Sequence, residues 1–468
     1  MGDMPDMRFE QRMSDADALM WTIEKDPLLR STITAVAIFD QSPDHDQLVE
    51  GLDRATRLVP RLRQRVVSNP LSIAPPRWEV DPGFDLGYHL RWVKAKGDGT
   101  LRDLLDMAEP IAMQGFDRAR PLWEFVVVDG LADGKAGLIM KIHHAITDGV
   151  GAVKIAMHLF DLERDAPTDR GPMPDEPAVH VLNQLERVVD AFNHERRRQM
   201  GRARRSLRTI SSSAASASTD AIGTAQRFGE TLGSIGRMLA PATKPLSPIM
   251  GSRSLSVHFE TISVPLDEMK AAAKQADGKL NDAFVAAIAG GLRRYHERHG
   301  TPVDALRMSM PINIRNDATQ DLAGNQFAPA RFAVPLTIDD PVERMRVVRD
   351  LVAGQRGEPA LSLAEPLAGV LYRLPTSVAT GIFGSMLRGI DFVTSNVPGV
   401  PIPVFFAGAR MEAQYAFGPM AGAATNITLL SYLDELQIAV NTDPAAVPDP
   451  EVFHACLLEG IDEVRKIA

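Results

Sequence analysis

Two adjacent histidines, His143 and His144, open the stretch His143-His144-Ala145-Ile146-Thr147-Asp148-Gly149. A neutral imidazole accepts protons near pH 6.5, so it suits the task of a general base on a hydroxyl group. Asp148 follows His144 by four residues, where its carboxylate can cap helix amides or pair with an arginine. Gly149 permits close backbone approach or an unusual dihedral. Acyl transfer to an alcohol needs these parts: a base for the hydroxyl proton, donors for the developing oxyanion, and a turn that holds the imidazole. Two other readings of the pair are a satisfied loop and a metal site. Adjacent strand histidines rarely converge on one ion, and no further ligand cluster is evident, so no metal is expected.

The elements around the pair can be read from periodicity. Glu124 to Asp129 reads as a strand, Asp133-Gly134 as a turn, and Gly137 to Ile142 as the returning strand. The pair ends that second strand, so its two side chains point to opposite sides and only one is expected to face a substrate. A helix follows from about Gly149 to Phe160. Upstream, Ser14 or Asp15 caps a helix whose apolar face carries Ala18, Leu19 and Ile23. Residues 32–39 read as a strand, 46–58 as a helix closed by Pro60, 90–93 as a short strand, and 101–108 as a helix stopped near Pro110. Downstream, strands are expected at 256–264, 306–314, within 325–336, and at 391–396. A hairpin follows at 425–432 and 436–441. Helices are expected at 266–277, from a cap at Asn281-Asp282 to about Arg298, and from about Pro450 to Ile467.

With 468 residues the chain exceeds a single core, so two domains are expected. Both halves mix strands and helices without a βαβ rhythm, which favours an α+β fold. The boundaries fall at 1–180 for an N-terminal lobe, 181–253 for a basic, Ser/Pro-rich connecting segment, and 254–468 for a C-terminal lobe. The connection carries Glu195-Arg196-Arg197-Arg198-Gln199-Met200-Gly201-Arg202-Ala203-Arg204-Arg205. That run is either a solvated helix face or a contact for anionic lipid headgroups. The net charge of -9 supplies no global field for nucleic acid. The single cysteine, Cys456, excludes an internal disulfide and reads as a buried helix residue. The acidic N-terminus has no signal-like apolar region. The two longest uncharged stretches, 392–409 and 413–433, are interrupted by Pro398, Pro401, Pro403 and Gly418-Pro419, so neither reads as a membrane span. A cytoplasmic protein is expected, with peripheral contact to a membrane or lipid droplet left open.

The stretch His143 to Gly149 matches the HHxxxDG signature of the CoA-dependent acyltransferase superfamily. The chain resembles, more narrowly, the bacterial wax ester synthase/diacylglycerol acyltransferase family. Pro121-Leu122-Trp123-Glu124, Asn281-Asp282, Pro311-Ile312-Asn313-Ile314-Arg315, Gly324-Asn325 and Thr394-Ser395-Asn396-Val397-Pro398-Gly399 carry that resemblance in order, as does Asn426-Ile427-Thr428.

The resemblance implies two chloramphenicol-acetyltransferase-like lobes with an active-site tunnel between them. It makes His144 the general base and His143 structural. Asp148 would be structural as well, paired with an arginine for which Arg315 is the candidate, and Gly149 would shape the turn. Asn281 is an oxyanion or substrate-orienting donor, or a helix cap. Thr394, Ser395 and Asn396 would lie on a strand near the tunnel as substrate-binding or oxyanion candidates, a hydroxyl there serving the oxyanion. Pro121, Leu122 and Trp123 are structural or line the tunnel, and Asp282 and Asn325 belong to the same supporting set.

The implied reaction moves a fatty acyl group from acyl-CoA to diacylglycerol or a long-chain alcohol by direct attack, with acyl-CoA as co-substrate and no cofactor. The alternatives are a condensation-like acyltransferase with another acceptor or a carrier-bound donor, and a non-catalytic lipid-binding protein.

Overall fold

The structure is a computed structural model that describes residues 9–69, 73–166, 170–217, 233–236, 240–242, 244–313, 325 and 327–468. Among the described residues, fourteen strands run in chain order. They are β1 (Thr32–Phe39), β2 (Gln64–Val67), β3 (Arg77–Val80), β4 (Leu90–Lys94), β5 (Trp123–Asp129), β6 (Ala136–His143) and β7 (His258–Pro265). Then come β8 (Ala305–Asn313), β9 (Phe327–Pro335), β10 (Phe392–Val397), β11 (Phe405–Phe406), β12 (Ala409–Phe417), β13 (Thr425–Tyr432) and β14 (Glu435–Thr442). They form two mixed six-stranded sheets, β11-β12-β1-β6-β5-β4 and β7-β14-β13-β10-β8-β9, and a small β2-β3 ribbon. This is the expected α+β, two-lobed architecture.

The β5–β6 hairpin forms where its alternation predicts, and the backbone explains the turn. Asp133 and Gly134 both adopt positive φ, 60° and 74°, a conformation that Gly tolerates freely and Asp better than most residues. β5 and β6 are buried along almost their whole length, as suits strands covered on both faces.

The Asp15–Ile23 helix starts at Ser14, whose Oγ accepts from the Asp17 amide at 3.0 Å. The Leu101–Met113 helix continues through Pro110 rather than stopping before it. Its buried face, Leu104, Leu105 and Ala108, packs against the first sheet, and that packing outweighs one lost backbone donor near the helix end.

The C-terminal core is built on the Leu280–Arg298 helix, buried from Asp282 to Leu292. Against it lies the Pro450–Arg465 helix. Gly460 and Gly291 let the two backbones approach so closely that a Cβ on Gly460 would collide with the Ala287 carbonyl. Cys456 sits fully buried in that contact, as expected.

A division at residue 253 does not separate the two sheets. β12 leaves the C-terminal half and pairs antiparallel with β1, placing Val36 opposite Tyr415. The Ala364–Tyr372 and Thr376–Leu387 helices likewise pack on the Asp15–Ile23 helix, with Ala368 and Ala379 in the first lobe's core. The first lobe is therefore completed by chain from the second, a crossover that periodicity does not encode. The connecting segment contains the 34-residue Gln184–Ala217 helix. Arg198 in it forms an ion pair with Asp15, and Arg187 lies 3.7 Å from Glu79. Among the described residues, no helix is long and apolar enough to cross a membrane.

Candidate active site

β6 delivers the histidine pair to the junction of the lobes. His143 closes the strand opposite Thr32 of β1. Its side chain is only 2% exposed and turns into protein: Nε2 lies 2.8 Å from Glu24 Oε1, and Nδ1 accepts from the Ala145 amide at 3.0 Å. Trp21 and Phe116 meet the ring edge-on. Burial alone would raise the Glu24 carboxyl pKa. The His143 imidazole, the Ser31 amide at 2.7 Å and Arg118 outweigh it, and the pKa falls below the ordinary value. His143 thus braces the turn that follows it.

His144 turns the other way, as strand alternation requires. It lines a cavity of about 370 Å³ between the lobes. Leu19 and Ile23, Met140 and Ile142, Leu371 and Phe383 give the walls their apolar character. The backbone of His144 is pinned on both sides. Its amide donates to the Ser31 carbonyl at 2.8 Å, and its own carbonyl accepts from Asn325 Nδ2 at 2.9 Å. The ring opens onto the cavity rather than the outer surface. Desolvation by the surrounding walls lowers its pKa, against opposing contributions from Asp148, Asn325 and its own backbone carbonyl. A lowered pKa keeps the imidazole neutral, the form that accepts a proton.

Asp148 is buried and caps the Gly149–Ala156 helix, accepting from the Gly151 amide at 2.9 Å. Arg315, the arginine expected beside it, lies outside the described residues, as do Ile314 and Gly324. Gly149 is the first residue of that helix. The glycine that the packing demands is Gly151, where a Cβ would run into Thr147 Oγ1. Thr147 is fully buried and lines the cavity, a role its place in the signature leaves unmarked.

The other expected site residues divide. Ser395 lines the cavity from β10. Thr394 points to the opposite face, its Oγ1 3.3 Å from Met308 Sδ, and Asn396 is exposed. Alternation along one strand sends only one of the three inward. Asn281 is neither at the cavity wall nor the cap. Its amide faces Met310 Sδ at 3.7 Å, whereas Lys279 is the cap residue, its amide donating to Asp282 Oδ2 at 2.7 Å.

Pro121, Leu122 and Trp123 are core residues. Trp123 donates to the Leu62 carbonyl at 2.8 Å and stacks on His89, outside the cavity lining. Asn325 is both supporting and cavity-lining. Ser309, Asn426 and Thr428 line the cavity without having been singled out as site residues. For Asn426 and Thr428 the usable signal was their same-face spacing on β13. Among the described residues, no cluster of three or more His, Cys, Asp or Glu could hold a metal.

Two mixed-sheet lobes sharing a chain crossover, with a strand-end histidine facing the cavity between them, define the two-lobed acyltransferase and condensation-domain architecture. Solved structures agree. A wax ester synthase/diacylglycerol acyltransferase from Marinobacter aquaeolei VT8 superposes with a TM-score of 0.62 at 21% identity, covering 97% of this chain and 98% of that one. The first condensation domain of the calcium-dependent antibiotic synthetase also reaches 0.62, at 14% identity and 97% and 95% coverage. At those identities the likeness concerns the fold.

The family assignment comes from sequence comparison. The wax ester synthase/diacylglycerol acyltransferase catalytic domain matches residues 13–284, and the C-terminal domain of the same family matches 323–465. A putative diacylglycerol O-acyltransferase of Mycobacterium tuberculosis is 38% identical over 468 residues, spanning 100% of this chain and 94% of that protein. A probable diacylglycerol O-acyltransferase of the same organism is 26% identical over 427 residues, with 89% and 87% coverage. The chain belongs to the wax ester synthase/diacylglycerol acyltransferase family.

Proposed function

We propose that this chain transfers a fatty acyl group from acyl-CoA to the hydroxyl of diacylglycerol or a long-chain alcohol, with His144 as the general base. The observation that carries the reading is the placement of His144 on the wall of an apolar cavity between the lobes. The acceptor hydroxyl donates its proton to His144 as its oxygen attacks the thioester carbonyl carbon. The tetrahedral intermediate collapses with cleavage of the carbon–sulfur bond. The imidazolium returns the proton to the leaving thiolate, giving ester and free CoA thiol with the base restored. No acyl-enzyme is needed.

Hydroxyls of Ser395, Ser309 and Thr428 on the cavity wall are candidates to donate to the oxyanion. Apolar walls exclude water, which would otherwise compete as the acceptor. Purified protein incubated with labelled palmitoyl-CoA and either dioleoylglycerol or hexadecanol should form neutral lipid, and His144→Ala should reduce that formation about 100-fold or more. A folded protein that esterifies neither acceptor overturns the reading.

A lipid acceptor is supplied from a lipid surface, and the Gln184–Ala217 helix offers a face for one. Leu185 and Phe192 are 74% and 61% exposed, with Val189 also exposed on the same helix side. Arg196 and Arg197 lie exposed one to two turns further on. Apolar insertion flanked by cations fits an anionic bilayer. Flotation with phosphatidylglycerol vesicles should recover the parent and lose the Leu185→Ser/Phe192→Ser variant. Equal recovery of both sinks this surface.

A further inference from the structure

Asn325 stands where three distant parts of the chain meet. It lies just before β9. Its side-chain nitrogen donates to the carbonyl oxygen of His144 at 2.9 Å and to Asp17 Oδ1 in the Asp15–Ile23 helix. A carbonyl and a carboxylate both require a donor, so the amide must present its nitrogen to them and both its hydrogens are used. The amide oxygen is thereby directed elsewhere. Asn325 and His144 line the same cavity, and the Asn325 side chain pushes the pKa of the His144 ring upward. Catalytic hydrogen bonds are commonly loose without substrate and tighten when it binds.

Asp17 has no surface role. It is 3% exposed, and burial pushes its carboxyl up to about 6, opposed by the bonds from Asn325 and Ser14. Asn325 itself is 6% exposed and lines the cavity. A buried carboxylate held against a buried amide is a costly arrangement to keep without a task.

We propose that Asn325, anchored by Asp17, is the positioning residue that orients the imidazole of His144: its nitrogen holds the His144 carbonyl and its oxygen receives a ring N–H, so that the other ring nitrogen faces the acceptor hydroxyl. The inference rests on the reading of His144 as base. A base oriented by a third group is the general logic of activated hydroxyl attack, and here the third group is an amide fixed by a carboxylate. Neither Asn325 nor Asp17 touches the reacting atoms in this scheme.

The test uses the full chain with palmitoyl-CoA and dioleoylglycerol. Asn325→Ala should fold and lose roughly 10- to 100-fold in kcat, the scale for a misplaced catalytic group, with KM for both substrates within about threefold. Added to His144→Ala, it should cost less than about twofold more, because its effect passes through that ring. Asp17→Asn keeps an oxygen for Asn325 and should retain most activity, whereas Asp17→Leu should fall to the level of Asn325→Ala. A folded Asn325→Ala with parental kcat overturns the proposal, as does a full additional loss on top of His144→Ala. Should Asn325→Ala fail to fold, equal kcat values for Asp17→Asn and Asp17→Leu overturn it instead. If His144→Ala keeps parental activity, the base reading falls and this proposal with it. If His144→Ala is inactive and Asn325→Ala normal, only the positioning role falls.

Discussion

His143 and His144 are joined by one peptide bond and face two different environments. On one side lies packed protein, with Glu24 beside Nε2 and the Ala145 amide on Nδ1. On the other lies a cavity whose apolar walls lower the pKa of the ring that enters it. The residue types are identical, so the difference in role comes entirely from surroundings. A histidine with both nitrogens engaged is a strut, and one presented to an enclosed space is free to meet a substrate, the role proposed for His144.

Substitutions on either side of the strand end should separate catalysis from stability. The largest effect is expected at the cavity: His144→Ala should reduce the rate about 100-fold or more, the lower range for removal of a general base, with an unchanged melting curve. A rate loss under tenfold would erase the contrast. On the packed side, His143→Ala removes the imidazole hydrogen bond to the Glu24 carboxylate and the packing against Trp21 and Phe116, and stability should fall by roughly 2–3 kcal/mol. A stable, soluble His143→Ala protein contradicts its role as a strut. Beneath both, Gly151→Ala forces Thr147 away from the turn. It should cost roughly tenfold in rate from displacement of the His144 loop, with substrate saturation still attainable.

The smallest effects are those of pH. With His144 as the proposed base, acting in its neutral form and with its pKa lowered, the acidic limb of kcat/KM should lie below the ordinary histidine value of about 6.5. His258 behaves in the opposite sense. Its ring N–H groups donate to the carboxylates of Glu109 and Glu260, which raises its pKa to about 9 and joins β7 of the second sheet to the Leu101–Met113 helix on the first. Its stabilising contribution is full below the unfolded value near 6.5 and is lost as pH rises through about 9. Thermal melts at pH 6.5 and 9.5 should show that loss in the parent and a smaller one in His258→Gln.

Much of this was legible locally. The capped Asp15–Ile23 helix, the β5–β6 hairpin, the Gly149–Ala156 helix and the β13–β14 hairpin follow from short-range signals. The alternation of Ala409, Met411, Tyr415 and Phe417 with Arg410, Glu412 and Gln414 marks β12 as a strand as well. Nothing in that alternation says that it joins β1 rather than its neighbours in the second half. The Pro341–Arg356 helix carries its own start signal in Asp340-Pro341, and it too escapes a reading centred on the signature motifs. Thr394 and Asn396 were grouped with Ser395 because a motif is read as a block, whereas a strand presents alternate residues.

The sequence by itself determined that a histidine pair ends a strand and that its two rings must part, because the alternation of side chains is a property of the local backbone. It also carried the family, through motifs whose order survives without knowledge of their contacts. The resemblance named His144 as the base, but only the tertiary structure decided what cavity its ring enters and what holds it there. Asn325 reaches the His144 carbonyl across 181 positions and Asp17 across 308. Contacts at such separations depend on how two sheets exchange strands and pack, which no local periodicity records.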